Sequence, residues 1–234
     1  MLHRRLIAIV MITTIIINIP AVADQRHTTP AVPVLSAMEA EDLMFMREEE
    51  KLARDVYVEL YRYYKEQGVE LLLFAKIARS EQLHMDAMLK MLDKYELDDP
   101  AAEAVPGEFE NPILSDLYAN LVSGSEENAP VLNEPSSGGK VSPLTGLYVG
   151  AWIEERDMID ILHAIDNTSK ADIVGVYTNL LCGSRDHLRA FVKSIGADGY
   201  TPQLLYFAAE TDDGVSPVET LEYWLGDASD EICM

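Results

Sequence analysis

Four long stretches of this chain carry apolar residues at helical spacing, and in each the apolar seam is broken near mid-length by a carboxylate or an imidazole. From Met38 to Tyr64 the residues Leu43, Met46, Ala53, Tyr57, Leu60 and Tyr64 share one face, and Glu50 is its single charged member. From Leu71 to Tyr95 the seam holds Phe74, Ile77, Met88 and Met91 or Leu92, and with them Glu81 and His84. A third stretch, Leu144 to Ile165, sets Leu147, Ala151, Met158, Ile161 and Ile165 around Glu154. The fourth, Ala171 to Ile195, sets Val174, Tyr177, Leu181, Leu188 and Phe191 around His187. No segment sustains the alternation of a half-buried strand, so the chain is expected to be all-α, a four-helix bundle.

The connection from the second to the third long helix runs from Pro100 to Pro143. It holds a short amphipathic stretch, "NPILSDLYANLV" (111 to 122), and a loop rich in Ser, Gly and Pro. A link of that length is what a bundle with a crossover requires. The third and fourth helices are joined by "DNTSKAD", where Thr168 or Ser169 is the expected N-cap.

A lone carboxylate in a helix-bundle core is costly unless it is paired or bound to a cation. Four interruptions at similar heights share one explanation, a metal centre. Carboxylates with neutral imidazoles suit iron, manganese or zinc. Glu81 and His84, three residues apart, place both groups on adjacent turns of one face. Di-iron carboxylate bundles use single Glu residues from two helices and a Glu-x-x-His pair from each of the other two. Here Glu50 and Glu154 are the single residues and Glu81–His84 is one full pair.

The fourth helix departs from that pattern, because Ser184 rather than Glu stands three residues before His187. Asp157, three residues after Glu154, also faces the seam and fills the gap in one reading; a surface ion pair with Arg156 is the more ordinary one. A water ligand, a single-metal site and no tight metal at all stay open. The candidate ligands are therefore Glu50, Glu81, His84, Glu154, His187 and Asp157. His163, near the third seam, reads as a hydrogen-bonded core residue. The methionines at 44, 46, 85, 88 and 91 read as core filler.

Residues 1–23 have the composition of a secretory signal peptide: Arg4 and Arg5, an apolar run from Leu6 to Ile19, and Ala21-Val22-Ala23 before the expected cut. Retention as an N-terminal anchor is the alternative, and either outcome puts the rest outside the cytoplasm. Residues 24–37 read as a flexible lead-in, 38–205 as the bundle and 206–234 as a tail packed on it. The net charge is −22, or −24 without the two leader arginines, which argues against nucleic acid and anionic membrane surfaces as partners. Cys182 and Cys233 either pair in an oxidising compartment or leave Cys182 as a buried thiol.

"REEEKLARDVYVELY", "IARSEQLHMDAM", "VGAWIEERDMIDI" and "VYTNLLCGSRDHLRAF", in that order, resemble the ferritin-like family catalogued as domain of unknown function 2202. "EKLARDVY" is more distantly similar to the first helix of rubrerythrins. That resemblance implies Glu50 rather than Glu48 or Glu49 as the ligand, with Tyr57 beside it. It also implies paired acidic residues on the third helix, which Glu154 and Asp157 match. No rubredoxin-type Cys-x-x-Cys module is present. The expected protein is thus an exported ferritin-like bundle holding two iron ions, with manganese or zinc as substitutes. Its expected partners are metal ions and a small oxidant, dioxygen or peroxide. A metal-binding or interaction module without redox turnover is the alternative, and a homodimer is left open.

Overall fold

Serine-led capping boxes start two of the long helices in the computed structural model, which describes residues 34–103, 105–125 and 138–196 together with Tyr200, Leu225 and Cys233. Ser36 accepts from the Glu39 amide and Glu39 returns to the Ser36 amide, opening α1 (Ala37–Glu66). Ser142 and Thr145 do the same for α4 (Pro143–Asp166), with Pro143 in the first turn where its missing N–H costs nothing. Asn111 and Pro112 open the short α3 (Pro112–Leu121). The remaining long helices, α2 (Leu72–Lys94) and α5 (Ala171–Ile195), have no side-chain cap. Among the described residues there is no strand, so the chain is all-α. α1 lies along α2 and α4 along α5, contacts of α1 with α4 and of α2 with α5 join the two pairs, and α3 rests on α1. These elements all belong to one compact unit, Val32–Met234.

The expected seams are inward at most positions: Leu43, Tyr57, Leu60, Phe74, Met88, Leu92, Met158, Ile161, Tyr177 and Phe191 are all buried. Three details differ. Val174 is half-buried and Ile173 carries the contact, a one-residue rotation at the start of α5. His163 is exposed, because the last turns of α4 present that face to solvent. Neither Thr168 nor Ser169 caps α5, whose N-cap is Lys170. The Thr168 hydroxyl instead donates to Glu39 Oε1 at 2.6 Å, and Lys170 Nζ stands 2.9 Å from Glu39 Oε2. Together with the Ser36 amide these hold the Glu39 carboxyl down at about 2.

The long connection explains what periodicity could not show, the burial of charged residues on the other face of α1. Arg47 forks onto Asp99 at 3.0 Å and reaches Met85 O at 2.9 Å. Glu48 accepts from the Glu110 and Asn111 amides at 2.6 and 3.0 Å. Lys51, 1% exposed, donates to Asp55 and to the carbonyls of Val105 and Glu108, with its ammonium 4.2 Å from the Phe109 ring centre. Asp55 also takes Arg54 and the Gly107 amide. Residues 99–103 and 105–111 are thus held to α1 by its buried charged side chains, while Lys51 and Asp55 pair within the helix. Because removing one partner of such a pair leaves the other uncompensated, Lys51→Met is expected to lower unfolding free energy by about 3 kcal/mol in denaturant titrations. Metal content should be unchanged, since Lys51 faces away from the seam.

No helix among the described residues is long and apolar enough to cross a membrane. The leader, its cleavage after Ala23 and nearly all of the 206–234 tail lie outside the described residues.

Candidate metal centre

Each long helix brings its seam interruption to the same level. α1 supplies Glu50, α2 supplies Glu81 and His84, α4 supplies Glu154 and α5 supplies His187, and all five are buried or nearly so. His84 Nδ1 stands 3.1 Å from Glu50 Oε2 and 2.8 Å from Glu81 Oε2. His187 Nδ1 stands 2.8 Å from Glu81 Oε1 and 3.4 Å from Glu154 Oε2. The two rings stack at 27° with centres 5.5 Å apart. Two groups result, Glu50–Glu81–His84 and Glu81–Glu154–His187, each with its ligand atoms within 4.8 Å of one another. Glu81 belongs to both and turns one oxygen toward each histidine.

Hydrogen bonding leaves this cluster incomplete. Glu50 Oε1, Glu81 Oε1 and His187 Nδ1 are buried without a hydrogen-bond partner, although the last two lie close together. Their approach lacks the direction a hydrogen bond needs. Buried polar atoms left without hydrogen-bond partners are costly in a protein interior and fit a site built for cations. The donor set, three carboxylates and two imidazoles, suits iron, manganese or zinc.

Electrostatics says the same. Burial pulls the His84 imidazolium down, but Glu50 and then Glu81 outweigh it and hold that group at about 12. For His187 burial is likewise overcome, by Glu154 and Glu81, to about 11. Burial pushes the Glu81 carboxyl up, yet the two histidines bring it down to about 2. Glu50 and Glu154 go the other way, raised by burial and by repulsion from Glu81 against the pull of their own histidines. Without ions, two imidazolium protons provide the positive charge that this anionic pocket demands.

Asp157 is placed differently. It is 4% exposed, in neither ligand group, and its Oδ2 accepts a short hydrogen bond from Ser184, whose hydroxyl also faces Leu180 O at 3.0 Å. Its Oδ1 is buried without a partner, and burial with repulsion from Glu50 and Glu154 raises the carboxyl well above its usual range. The ordinary reading, a surface pair with Arg156, does not hold: Arg156 bonds Asp160 at 2.9 Å. Asp157 and Ser184 therefore pair with each other, outside both ligand groups.

One of the five is oriented from outside the cluster, and Tyr57 does so for Glu154 rather than for the expected Glu50. Tyr57 donates to Glu154 Oε1 at 2.5 Å and lies 3.2 Å from Gly150 O, with its ring against Phe74 and Phe191. Glu49, set aside in favour of Glu50 on the sequence, is buried with no hydrogen bond to either carboxyl oxygen, Arg156 Nε standing 3.8 Å from Oε1, and its carboxyl is raised by burial and by Asp160 and Asp157. The run of three glutamates at 48–50 was a signal, but helical geometry alone assigns one of them to the seam. Sequence reasoning missed Gly183. A Cβ there would stand 2.5 Å from His84 Nε2 and 2.7 Å from Cε1, so only glycine lets α5 back the ring. Gly183→Ala is expected to displace His84 and weaken metal binding about tenfold or more, with the loss confined to one ion in equilibrium dialysis.

Comparison with known proteins bears on the family and the fold. The model of an uncharacterized protein domain, DUF2202, matches residues 39–216. The uncharacterized protein MJ0754 of Methanocaldococcus jannaschii is 42% identical over 178 residues, covering 75% of this chain and 85% of that protein. The crystal structure of the hypothetical protein MJ0754 from Methanococcus jannaschii DSM 2661 superposes with a TM-score of 0.67 at 38% identity, covering 85% of this chain and 97% of the other. By the span of the matched domain and the closeness of this relative, the chain belongs to the DUF2202 family.

Proposed function

We propose that this protein is an exported ferritin-like four-helix bundle that holds two transition-metal ions, iron or manganese, and reduces peroxide or dioxygen. The observation that carries the reading is Glu81: one buried carboxylate shared by two ligand groups, with an oxygen toward each histidine. Glu50 and His84 would complete one ion's ligands, Glu154 and His187 the other's. Two redox-active ions held so closely would supply the paired electrons that peroxide reduction takes. The chain's own part is to exclude water, through Tyr57, Phe74 and Phe191, and to fix Glu154 through the Tyr57 hydroxyl. The ferritin-like assignment is supported by the α1–α2 and α4–α5 pairs and the long connection between them. Export is supported by the leader pattern and by a Cys182–Cys233 disulfide, a bond that persists in oxidising compartments.

Metal analysis of protein purified without chelators tests this directly. About two irons per chain, with near-ultraviolet absorbance that develops on exposure to oxygen or peroxide, is the expected result. Substoichiometric metal after anaerobic reconstitution would sink it. Ser184 favours a second reading, a metal-binding module without turnover, because a hydroxyl occupies the place of a carboxylate. Ser184→Glu decides between a real gap and a site that is complete as it stands: retention of metal against a competing chelator should rise about tenfold if the gap is real.

A further inference from the structure

The chain's two cysteines form one disulfide, Cys182–Cys233, and it joins the site's own helix. Cys182 is on α5, which carries His187, and directly precedes Gly183, whose backbone lies against the His84 ring. A few covalent bonds and one van der Waals contact therefore separate this sulfur from a ligand imidazole. Both cysteines are half-buried. The Arg185 guanidinium, itself 1% exposed, has Nη1 3.5 Å from Cys233 Sγ. A fixed cation beside a cysteine sulfur favours the thiolate once the bond is reduced, and the thiolate is the reactive form. A simple tether for the tail would need neither the buried guanidinium nor attachment at the residue next to Gly183.

We propose that Cys182 and Cys233 are the two-electron store of this site, cycling between dithiol and disulfide to reduce hydrogen peroxide. The inference rests on the reading of the site as a peroxide-reducing metal centre. In one turnover both S–H bonds break and the S–S bond forms, releasing two electrons and two protons. Hydrogen peroxide takes up both, its O–O bond breaks, and two water molecules leave. Thiol–disulfide exchange with a soluble dithiol then restores the cysteines, and that dithiol departs as its own disulfide.

The test uses full-length protein with its cysteines reduced, loaded anaerobically with ferrous iron, freed of reductant and given two equivalents of hydrogen peroxide. The first equivalent takes the electrons of the ions and the second those of the cysteines, so both thiols should disappear, at least about tenfold faster than in metal-free protein. Thiol titration reads this without any activity assay. Equal rates with and without metal overturn the proposal, as does survival of the thiols while both equivalents are consumed. Absorbance on peroxide addition to loaded Cys182→Ser, or to loaded Cys233→Ser should the first fold poorly, tests the site separately. A response there with wild-type thiols intact sinks the cysteine store alone; no response in any loaded protein sinks the site reading and the store with it.

Discussion

Glu81→Gln is expected to lose both metal ions, whereas Glu50→Gln and Glu154→Gln each lose one. The difference follows from connectivity: Glu81 is common to both ligand groups, while Glu50 serves only the group with His84 and Glu154 only the group with His187. An amide keeps the shape of the side chain but cannot bridge two cations as an anion does. Reconstituted wild type should hold about two ions per chain, each terminal variant about one, and Glu81→Gln close to none. The metal-free variant should also be less stable, by about 3 kcal/mol, because Glu81 is the anion between two imidazolium rings stacked 5.5 Å apart. Elemental analysis and denaturant titration separate the two effects. One ion retained by Glu81→Gln would show that the carboxylate does not bridge.

What could be read from the sequence was the geometry that repeats. Heptad-like spacing puts Glu50, Glu81, His84, Glu154 and His187 on seams, and their places near the middle of each long helix bring them to one level when the seams pack in register. What could not be read depends on contacts between distant segments. Lys51, Asp55 and Glu48 look like solvated residues on the outer face of a helix, and only the connection through residues 99–111 buries them. Asp157 has a helical spacing from Glu154 that suits a ligand, but Ser184 on another helix takes its Oδ2. Gly183 has no pattern of its own, since its role is defined by the ring that His84 sets against it. Cys182 and Cys233 are 51 residues apart, and nothing in their neighbourhoods states that they meet. His163 fails for the opposite reason: it is near the seam by spacing, but the end of α4 turns that face outward.

Metal affinity should rise steeply with pH across the neutral range, and the protein should release at least two protons on loading. Imidazoles bind metal in their neutral form, yet His84 and His187 are held protonated up to about 12 and 11 by the carboxylates around them. Both protons must leave when ions enter, so protons compete with metal at every pH below those values. Glu50 and Glu154, raised by burial, add further protons toward the acid end of the range. Each proton released contributes about 1.4 kcal/mol per pH unit, so two make the combined affinity climb about a hundredfold per unit. The fold follows the same sign. In the metal-free protein the raised histidines stabilise fully below their unfolded value near 6.5 and lose that contribution as pH rises through 11 and 12. Glu81, depressed to about 2, stabilises above its ordinary 4.5 and loses its contribution as pH falls toward 2. The melting-temperature gain on adding metal should therefore widen from pH 6 to pH 8. Calorimetric titration in two buffers of different ionisation enthalpy counts the protons directly. Fewer than one proton per chain, or an affinity flat between pH 6 and 8, would mean that the histidines are already neutral and that the anionic pocket is balanced some other way.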